Sequence, residues 1–384
     1  MDIRRLNNMN ASLREKYVSF WGQTLDPAFY APFDDATTRR SAASGAGAAS
    51  TDEANSGETP SVADSVAKNP ASYWNLFKTE ILNSYFVEQS ASFWAVDGTP
   101  EEPNPVACLV AATAPTDDAL DGADATLLAP FYSADVSDAD KATAAQILIE
   151  ASENALRKKG VRRVYAGGAP PRTDAEGYAP TGAPLLNGVY GFGSPVGFFD
   201  RDAARKLFID AGYEPERNAD GAERAFVERK IDASAFFGNA DELPDGWRLT
   251  RENWAAPSWR LASIARNFGN ARRFCVRGLD SSLLAIAWVY DLIRRAPNGS
   301  ASRVQTVVSR LSVRPAYRGK GLGTALVAAL VEDASTQAAK IAPSAPLEIC
   351  AVVPTWDAVA CDFWDAQGFE VGRRSTPLVK TLAP

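Results

Sequence analysis

Tyr317-Arg318-Gly319-Lys320-Gly321-Leu322-Gly323-Thr324 joins a strand-like segment to a helix-like one, and the architecture unfolds from that junction. Upstream, residues 304–313 are rich in β-branched side chains and short enough for a strand. Downstream, Leu322, Leu326 and Leu330 recur at a four-residue interval, one face of a helix. A glycine-rich turn entering a helix points several unpaired backbone N–H groups outward, where the helix dipole also favours negative charge. Glycine admits close approach of an anion because no Cβ stands in the way. Arg314, Arg318 and Lys320 add positive charge around the same turn. The pattern predicts a phosphate or pyrophosphate site.

The spacing selects among phosphate loops. A Walker loop requires a glycine upstream of Gly319-Lys320 that is absent here, and it ends in Lys-Ser/Thr. A dinucleotide fingerprint requires G-x-G-x-x-G, whereas Gly319, Gly321 and Gly323 alternate as G-x-G-x-G. What fits is Val313-Arg314-Pro315 followed by Arg318, Gly321 and Gly323 in the form Arg-x-x-Gly-x-Gly. This resembles the acyl-CoA motif of the GCN5-related N-acetyltransferases (GNAT). Further on, residues 347–353 read as a buried strand, then Pro354, then a helix carrying Asp357, Ala360 and Trp364 and closing at Gly368-Phe369. The family shows Asn-x-x-Ala-x-x-x-Tyr before a Gly-Phe pair. Here Asp357 stands for the asparagine and Trp364 for the tyrosine.

The resemblance implies acetyl-CoA as acyl donor; with no CxxC pair and no histidine, no metal is expected. It assigns Arg318, Gly319, Lys320, Gly321, Leu322, Gly323 and Thr324 to the pyrophosphate. Leu311, Ser312 and Val313 fall to the pantetheine arm and the thioester carbonyl, and Asp357 and Trp364 complete the cofactor-binding set. The implied acceptor is a primary amine on a small molecule or a protein.

Composition narrows the chemistry. The chain has 384 residues, enough for two ordinary domains, with 46% hydrophobic residues and a formal net charge of -7. No long basic run suggests nucleic acid, and no segment reaches membrane-span length. The expectation is a cytoplasmic protein, monomer or homodimer. Cys108, Cys275, Cys350 and Cys361 form no CxxC pair and sit among apolar neighbours, which reads as reduced and structural. There is no histidine, which excludes Ser-His-Asp and Cys-His hydrolases outright.

The chain also reads as two related halves. Residues 1–35 are expected as a helical segment packing on the first half, with helices over 14–25 and 71–85. Residues 36–69 are Ala/Ser/Gly/Asp-rich and predict a flexible insertion. Strand signals follow at 92–96, 106–110 and 126–132, then a helix over 138–159 and a strand at 161–165. Leu207-Phe208-Ile209-Asp210-Ala211-Gly212-Tyr213-Glu214 echoes Phe363-Trp364-Asp365-Ala366-Gln367-Gly368-Phe369-Glu370. The fold class expected is α/β (α+β): two tandem GNAT-like domains over 70–238 and 239–384, each a mixed, mostly antiparallel sheet flanked by helices. The first copy lacks the phosphate loop. Ser133-Ala134-Asp135-Val136-Ser137-Asp138 is acidic and without glycine, and would repel an anion. Its Gly/Pro-rich loop over 167–199 is either a roof on a pocket between the halves or a structural Ω-loop.

In the second copy, residues 246–250 start the domain and a helix is expected over 257–268, with an antiparallel pair at 273–277 and 283–290. The reaction implied is direct attack of an amine on the thioester, driven by positioning and backbone N–H donors. Proton transfer has no obvious owner: residues 303–317 contain no carboxylate, and the indole of Trp364 cannot deliver a proton. Tyr290 and Asp291 are the nearest substitutes as catalytic groups. The alternatives are an acyl-CoA-binding sensor or scaffold with little turnover, and a mycothiol-synthase-like tandem acetyltransferase.

Overall fold

The computed structural model describes residues 1–7, 16–17, 20, 88–99, 102–113, 124–128, 130–133, 135–166, 172–174, 177–179, 198–199, 203–236, 238, 243–253, 272–295 and 301–383. The expected insertion, the helices over 71–85 and 257–268, and most of the 167–199 loop lie outside these residues. In the first half the strands are β1 (Asp2–Arg5), β2 (Phe93–Gly98), β3 (Pro103–Leu109), β4 (Ala111–Thr113), β5 (Asp124–Leu127) and β6 (Phe131–Tyr132). Helix α1 (Asp138–Lys158) leads to β7 (Arg163–Ala166), the hairpin β8 (Arg172–Asp174) and β9 (Gly177–Ala179), and β10 (Phe198–Phe199). Helix α2 (Ala203–Asp210), β11 (Glu214–Pro215) and β12 (Phe226–Asp232) complete it. The second half runs β13 (Arg248–Asn253), β14 (Arg272–Arg277), β15 (Leu283–Arg295), β16 (Ala301–Val313), α3 (Leu322–Ile341), β17 (Leu347–Pro354), α4 (Ala358–Ala366), β18 (Glu370–Thr376) and β19 (Leu378–Thr381).

Two expectations about the first half are corrected. Residues 2–5, placed in a helical segment, form an edge strand antiparallel to β2. Lys16, Tyr17 and Phe20 are helical, and Tyr17 and Phe20 set their rings 4.5 and 4.9 Å from Trp94. The single strand expected over 126–132 is split into β5 and β6, because Pro130 has no N–H to give a ladder.

Both halves repeat one strand order. The second sheet runs β13-β14-β15-β16-β17-β12-β18, with β10 at its far edge. The first runs β1-β2-β3/β4-β5/β6-β7-β19-β11, with a break at Val110 bridged by Leu128 N donating to Val110 O at 3.0 Å. Among the described residues each has one parallel pair, β5 with β7 and β16 with β17, and is otherwise antiparallel. The repeat establishes the duplication independently of sequence likeness.

The sheets do not respect the expected boundary near residue 238. Strand β12, the last of the first half, lies between β17 and β18 in the second sheet. Strand β19, the last of the second half, lies between β7 and β11 in the first. The halves have exchanged their final strands. Ile231 therefore joins the core beneath α3, and Leu378 and Leu382 join the core beneath α1. Each exchanged strand is also pinned by charge. Lys380 Nζ donates to Glu153 Oε1 and Oε2 on α1 at 2.9 and 2.8 Å, and Arg229 pairs with Asp365 on α4 at 2.7 Å.

Candidate functional site

Strand β16 pairs in parallel with β17 from Val304↔Leu347 to Val308↔Ala351 and no further. Beyond that point β16 keeps its partner β15 from Arg310↔Trp288 to Val313↔Ala285, and β17 keeps β12 through Val353↔Val227 and Pro354↔Phe226. The two strands diverge, leaving backbone groups of 309–313 and 352–354 facing each other across a cleft. The register shift at Trp288/Val289 leaves Ser309 as the extra residue of a bulge where the divergence begins. A bulge bends its strand and ends pairing, which is what opens the cleft. Leu311, Ser312 and Val313 lie on the β16 side of this divergence.

At the mouth of the cleft the chain makes one 3-10 turn, Pro315–Tyr317, and enters α3. Gly319 and Gly321 have φ of 72° and 77°, left-handed values that strain most side chains. Gly321 is the N-cap and gives no side-chain cap hydrogen bond. The amides of Leu322, Gly323 and Thr324 in the first turn have no intrahelical acceptor. Arg318 folds back, with Nε donating to Val313 O at 3.2 Å. The Lys320 ammonium lies 5.3 and 5.9 Å from the ring centroids of Tyr317 and Trp247. The residues fit a pyrophosphate: open amides, cations beside them and no Cβ over the turn. Gly323 has a different role. A Cβ there would come within 2.8 Å of the Phe363 ring, so this glycine allows α3 and α4 to pack.

The equivalent helix of the first half is closed to anions. Ser137 caps α1, its Oγ accepting from Asp140 N at 3.2 Å, and Asp138 and Asp140 occupy the first turn. The first copy's missing phosphate loop is thus a filled helix end as well as a lack of glycine.

Three expected site residues are reassigned. Asp357 is the N-cap of α4, its Oδ1 accepting from Ala360 N at 3.0 Å, which commits the carboxylate to a helix end. Trp364 is 4% exposed and packs in the core, its ring 5.3 and 4.6 Å from Phe363 and Phe369, so it serves packing and not the thiol. Asp291 lies inside the long β15, and not at a strand end. Arg272 donates to both its oxygens at 2.7 and 3.0 Å, and Thr306 Oγ1 donates to Oδ1 at 2.6 Å. A carboxylate held this way on the α3 side of the sheet is a structural ion pair. Tyr290 is in β15, but its side chain lies outside the described residues.

Sequence reasoning missed Glu228. It sits on β12 opposite Val352, beside the cleft, and comes from the other half of the chain. No local signal marks it, since its place depends on the strand exchange.

Residues 243–369 match the acetyltransferase (GNAT) family. A comparison with curated proteins gives no match. Among solved structures the chain is similar to a tandem GNAT protein from the clavulanic acid biosynthesis pathway, at 13% identity over 76% of this chain and 83% of that one, TM-score 0.49. It is also similar to a GCN5-related N-acetyltransferase from Sphaerobacter thermophilus, at 12% identity over 77% and 82%, TM-score 0.41. A probable N-acyltransferase from Enterococcus faecalis aligns at 9% identity over 99% of this chain and 72% of that one, TM-score 0.48.

Proposed function

We propose that the protein is an N-acetyltransferase that moves an acetyl group from acetyl-CoA to a primary amine. The observation that carries this reading is the divergence of β16 from β17 directly beneath an uncapped, glycine-entered helix. The helix end suits the pyrophosphate, and the free edge of 309–313 suits the amide-bearing pantetheine arm, much as a strand edge accepts an added strand. The backbone N–H groups near Leu311 would polarise the thioester carbonyl.

The amine nitrogen bonds to the carbonyl carbon and the C–S bond breaks, releasing CoA thiol. An ammonium acceptor loses two protons overall, of which one ends on sulfur and one in solvent. No carboxylate of β16 serves these transfers, so the acceleration rests on positioning, with water carrying protons.

Isothermal calorimetry with acetyl-CoA, followed by free-thiol release across a panel of amines, tests the reading. Binding together with acceptor-dependent thiol release is expected. Absence of binding removes the proposal. The burial of Trp364 in the core favours a second reading, an acyl-CoA sensor or scaffold with little turnover. Binding without thiol release from any acceptor would select it.

A further inference from the structure

Lys320 is exposed and stands between two glycines in left-handed backbone, Gly319 and Gly321. A lysine stem in such a place can sweep widely, and fixing it costs rotamer entropy. Here the ammonium has a seat. Its Nζ lies 5.3 Å from the ring centroid of Tyr317 and 5.9 Å from that of Trp247, within the range where a ring face attracts a cation. Among the described residues no carboxylate pairs with it.

The two rings are themselves anchored. They meet edge to face, with centroids 5.6 Å apart and planes at 73°, and both pack against the core beneath α3. Tyr317 closes the 3-10 turn at the cleft mouth, its N donating to Arg314 O at 2.9 Å. Trp247 arrives from much earlier in the chain, just ahead of β13. Its N donates to Pro244 O at 3.0 Å, and Gly246 before it has a φ of 84°. A Cβ on Gly246 would come within 2.2 Å of Leu279 Cδ2, so the turn that delivers the indole lies against the β14–β15 connection.

The kind of partner separates this cation from those that hold the fold together. Lys380, Arg229 and Arg272 meet the carboxylates of Glu153, Asp365 and Asp291. The cations of the glycine turn are held by neutral groups: Lys320 by two rings, and Arg318 by the Val313 carbonyl at 3.2 Å. A carboxylate at this turn would cancel the positive charge and repel a phosphate, whereas an uncharged ring fixes the cation and leaves its charge whole.

We propose that Trp247 is a positioning residue for the acyl-CoA phosphates: with Tyr317, it holds the Lys320 ammonium beside the open amides of Leu322, Gly323 and Thr324. The proposal rests on the acetyltransferase reading. A cation ordered in advance spares the ligand the cost of ordering it on binding, so the indole contributes to affinity without touching the cofactor.

Calorimetry with acetyl-CoA on the full chain at low salt tests it. Trp247→Leu keeps apolar bulk but removes the ring face, and should weaken binding about 3-fold, the scale of one exposed cation–ring contact. Trp247→Phe retains a ring and should recover most of that loss. Lys320→Gln should weaken binding about 10-fold, as loss of a charged donor does. The decisive measurement adds Trp247→Leu to Lys320→Gln. Because the indole acts through the ammonium, the second change should then alter affinity by less than about 1.5-fold. A 3-fold loss that persists without the lysine shows a packing role and overturns the inference, as does unchanged or tighter binding by Trp247→Leu. Should Trp247→Leu fail to fold, Tyr317→Leu takes its place in the same cycle with the same expectations. These outcomes leave the acetyltransferase reading intact; a wild-type chain that binds no acetyl-CoA overturns both.

Discussion

At the scale of single residues, the contrast between Gly321 and Ser137 explains why one half has an anion site and the other does not. Both are helix N-caps at equivalent places in the repeat. Ser137 satisfies an amide with its own oxygen, whereas Gly321 leaves its amides open. Gly321→Asp should convert the second into an analogue of the first. Aspartate tolerates left-handed φ better than most residues and caps helices well, so the fold should persist. Its carboxylate would face the pyrophosphate, and acetyl-CoA affinity by calorimetry should fall by more than about 100-fold, a like-charge cost of several kcal/mol. Retained affinity would dislodge the ligand from this turn.

Asp291 supports a prediction of the opposite kind. Its carboxylate is buried against Arg272, and Arg272 Nε also reaches Asp333 on α3 at 2.6 Å. Burial pulls the Arg272 pKa down, but these carboxylates more than offset it and the pKa is raised. Asp291→Ala removes the bidentate partner and leaves the buried Arg272 with Asp333, and should cost up to about 3 kcal/mol in denaturant unfolding. A catalytic base would instead show lost turnover at unchanged stability.

At the scale of elements, β13 and β14 are held at the sheet edge by Glu252, which takes Arg273 Nε at 2.8 Å and Arg277 Nη2 at 3.1 Å. Burial pushes the Glu252 carboxyl up, but the two guanidiniums outweigh it and the pKa is lowered. Its unfolded value is about 4.3. A lowered folded pKa stabilises the fold above that value, and the contribution disappears as pH falls through the folded one. The stability difference between wild type and Glu252→Gln should be steady near neutrality and shrink steadily below pH about 4. A difference that grows on acidification would contradict the pairing. Cys275, just across β13, is pushed up to about 11 by burial. It should stay silent to thiol reagents in the folded protein at pH about 8, where a free cysteine reacts readily.

At the scale of the whole molecule, the exchanged strands make the halves interdependent. Without β12, β17 and β18 lose the strand that joins them; without β19, β7 and β11 do. Residues 239–384 expressed alone should aggregate or remain unfolded, because exposed strand edges template association. The full chain should unfold in urea as one transition, whether followed by tryptophan fluorescence or by circular dichroism. A chain cut within 239–242 should still migrate as one species in native gel filtration. Two separable transitions, or a soluble isolated second half, would show that the halves stand independently.

Much of this was legible in the sequence because it is local. The glycines at 319 and 321, the four-residue leucine interval and the strand before them lie within one short stretch, and left-handed backbone at a helix entry demands glycine whatever the surroundings. The repeat was legible as the echo of Phe208-Ile209-Asp210-Ala211-Gly212-Tyr213 in the later half. The fates of Trp364, Asp357 and Asp291 were not legible. A residue type at a motif position does not say whether its side chain faces a ligand, a helix end or a core; packing partners far along the chain decide that. Strand exchange was hidden for a related reason. β12 and β19 are short strands of similar character, and either could pair beside β7 or β17. Local pattern fixes that a strand forms. Only the burial of Ile231 beneath one helix and of Leu378 beneath another, with Arg229 and Lys380 each finding its carboxylate, decides which sheet receives it.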